Sequence, residues 1–328
     1  MPVISICLSP GLQRSVIIDT LIAGEVNRLR SVVVDVAGKG VNVCRVLQRL
    51  GIDALCLAQG GSNSAEVLAL ADAEGLKLRL IASGGTLRTC TSVIETSSLT
   101  GRRVTELVEP SSAVDESCAA AMSETVQALL PTASALIIAG SQAPGYPPHY
   151  QAQLASLARQ ADVPVVADLQ GPALIEVLAK RPALVKINLA EFVATFLADR
   201  FQGGEHSGML AQPVLAEDVT AAIAQISRDY ATSFVLTRGA NSIVLARDGE
   251  LRVVAVMPLA VGEVVNPIGS GDSFLAGMVA RLLQAGVTNW DRLSLDDLED
   301  ATALATACAQ SNARTARPGF LETSFALR

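Results

Sequence analysis

Strand-length apolar runs recur along this chain, with helix-length amphipathic stretches between them. Runs at 3–8, 54–58, 135–139, 163–167, 183–187 and 234–237 are rich in Val, Ile, Leu and Ala. Patterns of helical period fill 40–50, 64–73, 115–129, 148–160, 189–198 and 216–229. Near-continuous apolar strands alternating with helices predict an α/β, doubly wound, mostly parallel sheet buried on both faces. Composition agrees, because half of the residues are hydrophobic but only 3% are aromatic. The core must therefore be Ala, Val, Leu and Ile. A length of 328 residues permits one large domain or two smaller ones.

Two regions break the alternation. Residues 16–18 and 32–34 are strand-like, and 89–108 read as a β-hairpin turning at 99–102. Without helices between them, these strands predict a small sheet that projects as a lid. The expected division is a core of 1–11, 36–86 and 109–328, with a lid of 12–35 and 87–108. Residues 201–213 are Gly-rich and aperiodic, which predicts a surface loop.

Charge and cysteine usage exclude several function classes. A net charge of −7, with no basic cluster interleaved with aromatics, argues against nucleic-acid binding. The six Cys are scattered without a C-x-x-C and the chain has two His, so a zinc site is not expected. Reduced thiols point to the cytoplasm. The longest uncharged stretch, opening at Thr125, is interrupted by Pro131, Pro144, Pro147 and Pro148, so neither a membrane span nor a signal peptide is expected.

The chemistry concentrates in Pro267–Gly277, which joins an apolar run at 251–256 to a helical pattern expected from Asp272. Gly269, Ser270 and Gly271 can expose backbone amides at a helix N-terminus, where the dipole also favours an anion. Asp272 places a carboxylate at the mouth of that hole. A base beside donors for a phosphate is the minimum apparatus of phosphoryl transfer. Alone, the segment reads equally as an ordinary helix start.

Other segments gain meaning beside it. Gly38, Lys39, Gly40 and Asn42 open a helix with a cation at its start; alone this is a Gly-rich turn with a solvated lysine. Lys186, Asn188 and Glu191 end a strand, at the edge where ligands collect. Asn188 and Glu191 are three apart, suited to one helix face and to Mg²⁺ through its waters; a helix cap is the plainer reading. Ser141 follows Gly140 at another strand end. Thr237 and Gly239 follow a third and suit a nucleotide. Arg88, Arg102 and Arg103 sit on the lid, where they are either solvated or grip a phosphate.

Together and in this order, these segments resemble the ribokinase-type, pfkB carbohydrate kinases, closest to the branch acting on fructose-1-phosphate, fructose-6-phosphate and tagatose-6-phosphate. The similarity spans the whole chain, including Gly24–Arg28, Thr105, Glu106, Glu109, Pro110 and Asp168. It implies a ribokinase fold whose lid is a homodimer clasp, and ATP and Mg²⁺ as cofactors. It implies Asp272 as base and the amides of Gly269, Ser270 and Gly271 as anion hole. It implies that Lys186, Asn188, Thr237 and Gly239 serve the nucleotide, and Asn188 and Glu191 the metal. Gly38, Lys39, Asn42 and Ser141 would face the sugar, with Lys39, Arg88 and either Arg28 or Arg103 toward its phosphate. The sequence departs from the branch at Gln13, where a sugar-gripping Asp is usual, and at Ala37, Gln142, Ile187 and Ser270. These changes crowd the sugar side. They keep two other readings open: a kinase of an unphosphorylated sugar or nucleoside, and a non-catalytic sugar sensor.

Overall fold

The computed structural model describes residues 1–97, 102–198 and 216–325. Among them two sheets form. The larger contains β1 (Val3–Cys7), β4 (Ala54–Gln59), β5 (Leu78–Ile81), β8 (Ala135–Ala139), β9 (Val165–Asp168), β10 (Leu184–Asn188), β11 (Ser233–Thr237), β12 (Ile243–Arg247) and β13 (Glu250–Val254). Its order is β13-β12-β11-β10-β9-β8-β1-β4-β5. All pairings from β5 to β11 are parallel, whereas β12 and β13 form an antiparallel hairpin at the edge. The chain begins in the middle of the sheet, builds to one side through β4 and β5, and then returns to build the other from β8. The order reverses between β1 and β8, which opens a crevice at the carboxyl ends of the strands.

Helices cover both faces. α1 (Lys39–Arg49), α2 (Ser64–Glu74), α8 (Ser270–Gln284) and α9 (Leu295–Ala313) share one apolar cluster with Val3, Cys56, Ile137 and Val235. α3 (Glu116–Leu129), α4 (Tyr150–Gln160), α5 (Gly171–Leu178), α6 (Leu189–Phe196) and α7 (Glu217–Asp229) share the other with Ile4, Leu57, Leu136 and Phe234. Alternate residues of each strand thus enter opposite cores, as the pleat requires.

The second sheet comprises β2 (Gly11–Ile18), β3 (Ser31–Ala37), β6 (Arg88–Glu95) and β7 (Arg103–Val108), in the order β3-β2-β6-β7. These strands contain the runs expected at 16–18, 32–34 and 89–108. Val16, Ile18 and Val93 form a small cluster of their own. Val32, Val33, Leu107 and Val108 remain exposed. The hairpin turn expected at 99–102 and the loop at 201–213 fall largely or wholly outside the described residues.

Three elements were not expected. β5 is only four residues long, α5 begins with Pro172 in its first turn, and β12 is a five-residue strand that pairs antiparallel with both of its neighbours. The expected run at 251–256 is β13, an edge strand, and 255–269 intervene before the helix.

Candidate active site

The Gly-rich turn is anchored from behind. α8 starts at Ser270 with Gly269 as its N-cap, two residues before the expected start, so Asp272 lies inside the first turn. Gly269 has φ 83°, a left-handed conformation that strains any side chain. Asn312, fully buried near the end of α9, holds the turn. Its Nδ2 donates to the Ile268 carbonyl at 2.8 Å and to Ser270 Oγ at 3.2 Å. Its Oδ1 accepts from the Gly319 amide at 2.6 Å. One side chain thereby ties the turn to the C-terminal segment.

Asp272 is 6% exposed. Asn42 Nδ2 donates to its Oδ2 at 2.8 Å. Burial pushes the carboxyl up, Asp168 adds to this, and Lys39, Asn42 and Lys186 pull it down, for a net rise from 3.8 to about 6. Asn42 is itself fixed, because Arg45 Nη1 donates to its Oδ1 at 2.9 Å and Arg45 pairs with Glu74 at 3.0 Å.

Two lysines converge on one carboxylate. Asp168, at the end of β9, is fully buried. Its Oδ1 accepts from Lys39 Nζ and its Oδ2 from Lys186 Nζ, each at 3.1 Å. Burial raises the Asp168 carboxyl, but Lys186 and Lys39 outweigh it and hold it below the ordinary range. Burial works against the charge on Lys39, yet Asp168, Asp272 and Glu191 raise its pKa. Lys186 Nζ lies against the turn: a Cβ on Gly271 would sit 2.7 Å from it. Glycine at 271 leaves room for the cation against the turn.

Asn188 is not on a helix face with Glu191, as the spacing suggested, but is the N-cap of α6. Its Oδ1 accepts from the Glu191 amide at 2.8 Å, and Glu191 Oε2 accepts from the Asn188 amide at 3.2 Å, a reciprocal capping box. The other oxygen of Glu191 lies 3.5 Å from Lys39 Nζ. Among the described residues no cluster of three or more His, Cys, Asp or Glu could hold a metal directly. One carboxylate oxygen beside an amide suits Mg²⁺, which keeps most of its waters and leans on substrate phosphates.

Two cavities meet at the turn. One, of about 320 Å³, is lined by Gln13, Gly38, Lys39, Asn42, Arg88, Glu106, Lys186, Asn188, Glu191, Gly269, Gly271 and Asp272. The other, of about 290 Å³, is mainly apolar, with Val256, Pro258, Leu259, Phe274 and Ala309 around Thr237, Gly239, Ser270 and Gly271. Gly271 belongs to both. The structure thus gathers most of the expected residues, from both sheets, around one turn.

Two expected residues stand apart. Arg103 is held by Glu95 through bonds of 2.6 and 3.0 Å, and does not line the Asp272 cavity. Ser141 lines a neighbouring cavity of about 550 Å³ with His149 and Glu176, beyond Lys39. Arg28 and Arg102 are exposed. Sequence reasoning missed Asn312 and the double role of Asp168. The one available signal for Asn312 was a polar residue in an otherwise Ala-rich helix.

The chain spans 96% of its length in alignment with phosphofructokinase-2 from Escherichia coli, covering 93% of that chain at 23% identity and a TM-score of 0.79. A possible 1-phosphofructokinase from Thermotoga maritima matches over 98% of this chain and 94% of its own, at 18% identity and a TM-score of 0.79. Ribokinase from Giardia lamblia matches over 96% and 94%, at 14% identity and a TM-score of 0.71. At these identities the structural likeness establishes a ribokinase-like fold. The family model described as pfkB family carbohydrate kinase matches residues 6–321. That match takes in both sheets, the two lysines and the Asp272 turn, and so this chain belongs to the pfkB family of carbohydrate kinases.

Proposed function

We propose that this chain transfers a phosphoryl group from ATP to a hydroxyl of a phosphorylated ketohexose. The observation that carries the reading is the turn at Gly269–Asp272, a shared wall between a polar, cation-rich cavity and an apolar one. The apolar side suits a nucleobase, with Thr237 and Gly239 beside it. The polar side suits a sugar phosphate, with Lys39 and Arg88 for its anion. The phosphofructokinases among its structural relatives support a ketohexose phosphate as the acceptor class.

The residues divide the work. Asp272 accepts the proton of the attacking hydroxyl. Its Oδ2 is held by Asn42, which leaves Oδ1 for that hydroxyl. The Gly269, Ser270 and Gly271 amides, with Lys186 against the turn, stabilise charge on the moving phosphoryl group. Lys39 stands on the acceptor side, and Asp168 fixes both lysines. Mg²⁺, when bound, offsets charge on the donor phosphates, with Asn188 and Glu191 ordering its waters. Arg88 is an apt phosphate grip. Among the described residues its Nε is buried without an acceptor, and its Nη atoms make only long bonds of 3.4 Å to the Glu109 and Ser9 carbonyls.

The smaller sheet acts as a lid, with a core of 1–11, 36–86 and 109–328 beneath it. Its closure excludes water from the transfer. The exposed Val32, Val33, Leu107 and Val108 form its contact with a second copy. Six free, buried cysteines support work in the reducing cytoplasm.

A coupled ADP-release assay across ketohexose phosphates and free sugars tests the reading. Fastest turnover on a ketohexose phosphate is expected. Preference for an unphosphorylated sugar or nucleoside would overturn the acceptor class.

A further inference from the structure

The lid-side wall of the Asp272 cavity carries one carboxylate that the phosphoryl-transfer reading leaves without work. Glu106 of β7 pairs in register with Ser92 of β6, so their side chains share a face of the sheet. Ser92 Oγ accepts from Gln13 Nε2 at 2.8 Å. Gln13 and Glu106 therefore belong to one polar patch over the cavity, and both line it.

Glu106 differs from the other carboxylates lining that cavity. Asp272 accepts from Asn42, and Glu191 closes a capping box beside Lys39. Among the described residues, Glu106 has no hydrogen-bond donor and no ion pair. Its carboxyl is open to the cavity, yet desolvation by the surrounding wall raises its pKa, with Arg88 pulling it down. An acceptor-only group in such a recess is best satisfied by neutral donors from a ligand. Hydroxyls qualify and a phosphate does not, because like charges repel. Arg88, at the opposite strand of the same hairpin, has the complementary need, a buried donor without an acceptor among the described residues. The wall thus discriminates between the two kinds of group on a sugar phosphate.

We infer that Glu106 is an acceptor-recognition residue, whose carboxylate takes hydrogen bonds from sugar hydroxyls and keeps the phosphate on the Arg88 side. The inference rests on the proposed kinase reading and adds to it the residue that reads the polyol.

The test compares Glu106→Gln with wild type on the best sugar acceptor and on its monodeoxy analogues. A charge-assisted hydrogen bond predicts a KM for the full acceptor raised roughly tenfold or more. The change in kcat should be small, and KM for ATP should hold. For the analogue lacking the gripped hydroxyl, variant and wild type should agree. Glu106 is exposed, so the variant should fold normally, which a thermal melt checks. An unchanged KM, or an equal penalty on every analogue, overturns the inference. Preference for unphosphorylated sugars would sink the phosphate reading and with it the sorting of phosphate to the Arg88 side, while the same comparison on those sugars still decides whether Glu106 grips a hydroxyl. A wild type that phosphorylates no sugar would sink both.

Discussion

Asn42 donates a 2.8 Å hydrogen bond to Asp272 although 230 residues separate them in the chain. Asn42 belongs to α1, the helix that follows β3 of the smaller sheet, and Asp272 to the first turn of the helix at the Gly-rich loop. Arg45 and Glu74 back up the contact. The Asp272 carboxylate is therefore placed by the other half of the molecule, and its ionisation is set by burial more than by any one partner.

That ionisation has a consequence for stability. The Asp272 carboxyl sits at about 6 in the folded chain against 3.8 ordinarily. A raised carboxyl favours folding at low pH, and this contribution is lost as pH rises through about 6. Asp272→Asn cannot ionise. It should be more stable than wild type near neutral pH, by up to roughly 3 kcal/mol at 1.4 kcal/mol per unit. The gap should close as pH falls to about 4. Denaturant unfolding at several pH values measures it, and a gap that does not vary with pH would contradict the account.

Arg88 should act on one substrate only. Losing a charge-assisted contact predicts that Arg88→Ala raises KM for a sugar phosphate by roughly ten- to a hundredfold. KM for ATP should stay put, since Arg88 lines the Asp272 cavity and not the apolar one. Steady-state kinetics with each substrate varied would decide it, and a parallel rise in both values would contradict it.

Glu191→Gln separates the cap from the metal. Gln can still accept the Asn188 amide, so the capping box and the thermal melt should be nearly preserved. The lost charge should still raise the Mg²⁺ concentration needed for half-maximal rate. An unchanged Mg²⁺ titration would leave Glu191 only its structural role.

Asn312→Ala should damage both fold and rate. Removing it strands the Ile268 carbonyl and the Gly319 amide, at roughly 1–3 kcal/mol for each buried group left unpaired. The Gly269–Asp272 turn should then loosen, and kcat should fall more than KM for either substrate changes. Full activity in a destabilised variant would show that the turn holds itself.

Much of this was legible in the chain, and the misses share physical causes. The parallel core was plain because β1, β8 and β11 are apolar on both faces, which leaves a continuous run. The edge elements were not. β5 pairs on one side only and needs few apolar residues, and the short α5 starts with a Gly-Pro pair that reads as a turn. The Gly269–Asp272 turn stood out because its spacing is local. Asn312 and the hold of Asp168 on two lysines did not, because the partners are distant in sequence and each residue looks like a single polar one among apolar neighbours. Arg103 misled for the converse reason: its partner Glu95 lies across a hairpin whose register no composition reveals. Asn188 and Glu191 were found by spacing, but the helix began one residue later than a shared face requires.

The exposed Val32, Val33, Leu107 and Val108 predict a homodimer through the smaller sheet. Light scattering at micromolar concentration should give twice the chain mass, and charged substitutions at Val33 and Leu107 together should return it to one. A wild-type monomer, with and without ligand, would contradict the lid contact.

The central claim is that Asp272 takes the proton of the attacking hydroxyl. The most direct test is the turnover of Asp272→Asn, measured by ADP release, with ATP affinity measured separately by calorimetry. The account predicts a kcat at least about 100-fold below wild type, with ATP binding essentially unchanged. A variant that keeps more than about a tenth of wild-type kcat would contradict it.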